Sequence, residues 1–337
     1  MNGYERIMSA LAGQPPDRVP VMLHNFMLAS REAGYTMEQF RSDPMKIADS
    51  FKRAVERYRY DAVVVDLDTA TLAGALGVPV DFPADQPARC HEGCLDDLGQ
   101  VSALPAVKVG DYRFVQTWLE AVRLLVDDCG DDIWIRGNCD QAPFSLASML
   151  RTPELWYTDL LLDVDGAHRL LQHCTEGSLQ FIDLMAQTGA HMLSGGDSPA
   201  GPDLISPTMY QEFSLPYEKQ LIARSKAAGL PYALHICGNT DLILEQMKSS
   251  GADALELDYQ TDAVLACGIL RGQTTFIGNL DPVGLLTSGT TAQVQAATEK
   301  LLEVFSGNHR FILNAGCAIP PDAPPGNIEA MINAAKA

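Results

Sequence analysis

The chain has 337 residues, enough for two ordinary domains or one large α/β barrel, and either can bury a substantial core. Its 43 Asp and Glu outnumber 24 Lys and Arg for a net charge of −19, and no basic block offsets this, which argues against a nucleic-acid or anionic-membrane partner. The longest apolar runs, such as Ala62 to Val65, fall far short of the ~20 residues that cross a bilayer, and the start MNGYERIMSALAGQ lacks a leader's basic and apolar regions, so a soluble, unprocessed, cytoplasmic protein is expected.

In chain order, apolar and often β-branched runs predict strands at 19–23 (VPVML), 61–67 (DAVVVDL), 132–138 (DIWIRGN) and 191–197 (HMLSGGD). Four more follow at 231–238 (PYALHICG), 254–259 (ALELDY), 274–281 (TTFIGNLD) and 310–317 (RFILNAGC). Amphipathic segments between them, including 36–58, 113–128, 209–229 and 291–307, predict helices, the last ending at a glycine suited to a helix C-terminus. Eight strands alternating with helices predict a single (β/α)8 TIM barrel over residues 1–337, with an N-terminal helical extension and an insertion after strand 2. The irregular stretch 83–100 belongs to that insertion. An open doubly wound sheet is the competing architecture, and no GxGxxG after an early strand favours it.

A barrel places its chemistry at the C-terminal ends of the strands. Read in order, those ends carry His24, Asp66 with Asp68, Asn138 with Asp140, Asp197, His235 with Cys237, Glu256 with Asp258, Asn279 with Asp281, and Cys317. Polar residues are common at strand ends because loops are wet, so position alone does not single any of them out.

His235-Ile236-Cys237 is the sharpest local feature, because residues i and i+2 of a strand share a face. Imidazole and thiol together supply half of a tetrahedral zinc site, and Cys317, ending the last strand, is a candidate third ligand. Water, substrate, Glu256 or Asp258 could fill the fourth position. The competing reading treats both cysteines as small buried hydrophobes. The eight cysteines are spread over the chain without an export signal, which favours reduced thiols. Cys90-His91-Glu92-Gly93-Cys94 groups soft donors too, but it has no distant second pair and reads as a solvated loop.

Among the carboxylates, Asp66 and Asp68 share a face, as do Asn138 and Asp140, and Asp197 follows the small residues Ser194-Gly195-Gly196. Such groups can hold the amide-like edge of a heterocycle or act as a general acid, though capping and loop bonding explain each one taken singly. Asn279 and Asp281, followed by Pro282, are equally compatible with turn chemistry.

Several segments in order resemble the uroporphyrinogen decarboxylase superfamily: ERIMSALAGQPPDRVPVM at the start, QAPFSLASML after the third strand, FIGNLDP, and FILNAGCAIPPDAPPGNIEAM near the end. The resemblance spans nearly the whole chain and implies a (β/α)8 barrel. Its decarboxylase branch carries an Arg-Gln-Ala-Gly-Arg segment for a polycarboxylate substrate, where this chain reads HNFMLASREAGY with only Arg31. That branch also has His where Cys317 stands. Its catalytic Asp would correspond to Asp68, which keeps a tetrapyrrole decarboxylase with Asp68 as catalytic acid as the alternative.

The methylcobamide:coenzyme M methyltransferase branch resembles this chain at His235, Cys237 and Cys317, which implies a zinc site. The resemblance implies an acidic fourth ligand on the next strand, Glu256 first and Asp258 second. It implies methyl transfer from a methylated corrinoid, carried by a partner protein docked at the barrel mouth, to an acceptor that is tetrahydrofolate or a thiol such as coenzyme M. Asn138, Asp140, Asp197 and Asn279 are the candidates for holding the acceptor, with Asp197 and Asp68 as catalytic carboxylates. A sulfonated thiol would want a cation; none is located, since Arg136 lies within a strand with either facing open.

Overall fold

The computed structural model describes residues 1–336. Eight parallel strands form one sheet in sequential order: β1 (Met22–Leu23), β2 (Ala62–Val65), β3 (Trp134–Gln141), β4 (Met192–Gly196), β5 (Tyr232–Ile236), β6 (Ala254–Leu257), β7 (Thr275–Leu280) and β8 (Phe311–Ala315). A parallel bridge between Val21 and Leu313 joins the last strand to the first, so the sheet closes into the expected (β/α)8 barrel. Among the described residues, no helix is long and apolar enough to cross a membrane.

Strand alternation divides the core in two. One set, including Val63, Val65, Ile135, Leu193, Leu234 and Leu255, packs outward with the helices. The other, with Met22, Ala62, Val64, Trp134, Met192, Ala233, Ala254, Ile277 and Ile312, fills the lower barrel. Helix Gly3–Ala12 plugs that end, adding Ile7 and Ala10 to the inner cluster. It starts with a reciprocal Asn2–Glu5 capping box and stops at Gly13, whose φ of 71° suits glycine. Followed upward, the inward positions turn polar: Val64 gives way to Asp66, Trp134 to Arg136 and Asn138, Ala233 to His235, Ala254 to Glu256, and Ile312 to Asn314.

The insertion after β2 contains a two-stranded antiparallel ribbon, Val80–Asp81 with Arg89–Cys90, and a 3-10 turn at Leu98–Ala103. Two of the expected helices are each split. Segment 36–58 divides into Met37–Ser42 and Pro44–Tyr58. Pro44 forces Asp43 into an extended conformation, φ −140° and ψ 111°, from which its carboxylate caps Met45 N–H. The segment over 209–229 divides into Pro207–Phe213 and Leu215–Ala227 around Ser214, just before Pro216.

Candidate active site

The polar inner layer opens into a cavity of about 250 Å³ at the C-terminal mouth. Its walls include His24, Asp66, Asp68, Arg136, Asn138, Asp140, His235, Cys237, Glu256 and Cys317, from several strand ends. A larger groove of about 450 Å³ adjoins it, sharing Met27 and Pro87 and carrying Arg31. The titratable chemistry converges in the smaller cavity.

One potential ligand atom from each of His235, Cys237 and Cys317 lies within 4.8 Å of the other two, and no other such group of three occurs among the described residues. His235 Nε2 is 2.9 Å from Cys237 Sγ, and Cys237 Sγ is 3.6 Å from Cys317 Sγ. Two thiolates at about 2.3 Å from one tetrahedral ion would stand about 3.8 Å apart, so the sulfur spacing fits zinc. The imidazole is also aimed correctly: His235 Nδ1 contacts the Glu256 carbonyl oxygen at 3.0 Å, and donating there leaves Nε2 with a lone pair toward the thiols.

The hydrogen bond from Cys317 is the largest influence lowering the Cys237 thiol, to about 3; burial opposes it and the His235 charge assists. Cys317, the donor of that bond, is pushed up by it and by burial. Burial disfavours the His235 cation, but the Cys237 thiolate and Glu256 outweigh it and raise the ring to about 10. The pair therefore reads as thiolate beside imidazolium, a soft donor set ready to exchange protons for a metal. The Cys90–Cys94 segment contributes no comparable cluster; both thiols are half-buried in the insertion.

The Glu256 carboxylate, the first candidate for a fourth ligand, is not among the converging atoms. Its Oε2 lies 2.5 Å from Arg136 Nη2, and its Oε1 accepts from Asn314 Nδ2 at 2.9 Å. Burial disfavours its charge, yet Arg136, His235 and His24 hold the group down at about 2. Asp258, the second candidate, accepts instead from Gln260 N–H at 2.9 Å in its own turn.

Asp197 also departs from its expected place, since it does not line the cavity. Its Oδ1 accepts from Ser145 N–H and Oγ–H, both at 2.8 Å, and its Oδ2 from Ser214 Oγ–H at 2.7 Å. Helix Pro143–Arg151 has Ala142 at its N-cap, which offers no side-chain acceptor, so Asp197 satisfies this start from the neighbouring strand. Asn279 is likewise diverted: Nδ2 donates to the carbonyls of Asp258 and Thr261, both at 3.0 Å, tying down the β6 exit loop outside the cavity.

Asp68, Asn138 and Asp140 do reach the cavity. Asp68 Oδ1 accepts from Ala70 and Thr71 N–H, and Asp140 Oδ2 from Leu72 N–H. Burial raises both carboxyl groups, and their mutual proximity raises Asp140 further. Asn138 accepts from Ser194 Oγ–H at 3.1 Å.

Sequence left the facing of Arg136 open, although it stands two and four positions before Asn138 and Asp140 on the same strand. Sequence also left unmarked the pairing of His24 Nε2 with Asp66 Oδ2 at 2.7 Å, and Ser198, whose Oγ accepts from Cys237 N–H.

The family model for uroporphyrinogen decarboxylase (URO-D) matches residues 2–337. The chain is 29% identical to the methylcobamide:CoM methyltransferase MtbA of Methanosarcina mazei over 98% of this chain and 97% of that protein. It is 28% identical to the uroporphyrinogen decarboxylase of Thermus thermophilus over 97% and 96%. A solved structure described as a methyltransferase from Methanosarcina mazei superposes with a TM-score of 0.90 at 22% identity, covering 100% of this chain and 98% of that one, a likeness of fold.

Proposed function

The chain belongs to the uroporphyrinogen decarboxylase family, and from that premise we propose that it is a zinc-dependent methyltransferase moving a methyl group from a partner protein's methylcorrinoid to a small thiol. The observation that carries this reading is the convergence of His235 Nε2, Cys237 Sγ and Cys317 Sγ on one wall of the mouth cavity. Similarity to proteins named methylcobamide:CoM methyltransferases supports it.

His235, Cys237 and Cys317 would hold the ion, leaving a position for the acceptor. Zinc bound there supplies Lewis acidity that keeps an acceptor thiol ionised at neutral pH. The Glu256 carbonyl fixes the His235 tautomer, while Arg136 and Asn314 keep the Glu256 carboxylate engaged below the site. The acceptor sulfur attacks the methyl carbon; the S–C bond forms as the C–Co bond breaks, and the electron pair stays on cobalt. The thiol proton is released when the acceptor binds. A corrinoid is too large for about 250 Å³, so the partner would present it at the mouth, which the barrel leaves accessible. Tetrahydrofolate, the other acceptor considered, brings no thiol for a zinc site to activate.

Decarboxylation of a polycarboxylated tetrapyrrole has similar support from sequence identity, but the cavity lining disfavours it. Asp66, Asp68, Asp140 and Glu256 line the cavity, and its one arginine is committed to Glu256. Such a substrate would bring further negative charge against that wall.

The test is zinc content of the purified protein beside Cys237→Ala and Cys317→Ala, followed by loss of alkyl-cobalt absorbance with methylcobalamin and a thiol. One zinc per chain, lost from both folded variants, with thiol-dependent demethylation in the wild type alone, is expected. A wild type that neither contains zinc nor takes it up on reconstitution overturns the reading.

A further inference from the structure

Four carboxylate side chains line the mouth cavity, and of these Glu256 and Asp66 have side-chain partners there. Glu256 is paired with Arg136 and Asp66 with His24. Asp68 and Asp140 are 2% and 1% exposed, and backbone N–H groups meet Asp68 Oδ1 and Asp140 Oδ2. Asp140 Oδ1 is buried without any partner. Arg41, whose charge reaches Asp68, stands outside the cavity lining and gives its hydrogen bonds to the carbonyls of Met37, Pro83 and Gln86.

A buried carboxylate oxygen without a donor is costly, and a ligand that brings a donor recovers that cost. The cation that would suit an anionic ligand is already taken, since Arg136 is held at 2.5 Å from Glu256. The site's size adds a further restriction, because about 250 Å³ accepts a ligand of few heavy atoms. A sulfur at the His235–Cys237–Cys317 wall and a functional group at the Asp68–Asp140 wall must therefore belong to one short molecule.

Resting on the methyl-transfer reading above, we propose that the acceptor is a short aminothiol, its ammonium group held by Asp68 and Asp140, and that the site disfavours a thiol bearing an anionic group. Charge selection thus separates this site from one built for a sulfonate. Asp68 and Asp140 both line the cavity, and Asp140 Oδ1 is an oxygen that the protein itself leaves without a hydrogen bond.

Three thiols of equal spacer and different charge test this: 2-aminoethanethiol, 2-mercaptoethanol and 2-mercaptoethanesulfonate, each with methylcobalamin. In parallel, calorimetry on zinc-depleted protein measures binding of the S-methylated forms, which need no metal. The amine is expected to bind about tenfold or more tighter than the neutral compound, with the sulfonate weakest, and kcat/KM is expected to follow that order. In folded Asp140→Asn, the amine-to-neutral ratio should fall toward one in both measurements. Transfer to the neutral thiol with sulfonate binding as tight as the amine overturns the charge selection and leaves methyl transfer standing. No transfer to any of the three overturns the methyl-transfer reading, and the aminothiol with it, whatever the binding order.

Discussion

Arg136 and Glu256 face each other across the barrel interior, Nη2 to Oε2 at 2.5 Å, with both side chains almost completely buried. The pair forms the polar floor between the apolar barrel bottom and the mouth cavity. Removing one partner leaves an uncompensated charge in low dielectric, so Arg136→Met should cost about 3–5 kcal/mol in urea unfolding. The double variant Arg136→Met with Glu256→Gln removes both charges and should recover much of that loss. If the double variant is as unstable as the sum of the singles, the pair does not act as a unit.

Gly316 immediately precedes Cys317, and a Cβ there would collide with Tyr259 N and stand 2.9 Å from the Asp258 carbonyl carbon. Neither backbone atom can swing aside as a side-chain tip can, so Gly316→Ala must displace the end of β8. The variant should lose about 1–3 kcal/mol and weaken zinc binding by about tenfold or more, measured by competition with a chromophoric chelator. Gly268 in helix Ala263–Leu270 is the matched control, because a methyl group added there would meet nothing within 4 Å. Gly268→Ala should gain about 0.5–1 kcal/mol and leave zinc affinity alone. Equal zinc affinity in both variants would detach the metal site from the position of β8.

The barrel was legible because short apolar runs, several of them β-branched, alternate with helical patterns, and the metal cluster because His235 and Cys237 share a face of one strand. Strand parity also places Asp197 outside the site. Met192 packs in the inner cluster, so Ser194 and Gly196 continue its face and Asp197 falls on the other. Glu256 was harder to place: it has inward parity, but its partner Arg136 is 120 positions away in sequence, and local pattern carries no information about that pairing. Asn279 keeps inward parity above Ile277, yet its amide is drawn to two carbonyls of the β6 exit loop. Helix breaks at Pro44 and near Pro216 were visible as prolines but lost inside continuous amphipathic patterns.

Asp197 therefore makes a prediction opposite to the one its Ser-Gly-Gly context suggests. Asp197→Ala strands the Ser145 N–H and hydroxyl in the core, while Ser214 keeps Glu218 as a partner, and should cost about 2–4 kcal/mol. The folded fraction should keep its full complement of zinc and its turnover of thiol, because no Asp197 atom lines the cavity. A variant of wild-type stability that has lost activity would return Asp197 to the chemistry.

Asp197 also belongs to a buried acidic pair whose ionisation sets a pH dependence. Ser214 Oγ bonds to both Asp197 Oδ2 and Glu218 Oε1, and Tyr210 donates to Glu218 Oε2 at 2.6 Å. Burial raises Asp197 to about 6 against the hydrogen bonds from Ser214 and Ser145, and burial with the Asp197 charge raises Glu218 to about 8. Both lie above the values of an unfolded chain, 3.8 and 4.5, so the folded chain holds more protons across the intervening range. Their contribution to stability is complete below about pH 4 and is lost as pH rises through about 6 and then about 8, with a slope approaching about 1.4 kcal/mol per pH unit for each proton. Glu218→Gln removes the higher-titrating group and relieves Asp197 of a neighbouring charge. The fall in Tm between pH 6 and 8.5 should accordingly be shallower in the variant than in the wild type. Parallel slopes would mean that the pair is ionised in the folded protein throughout this range and that other groups set the pH dependence.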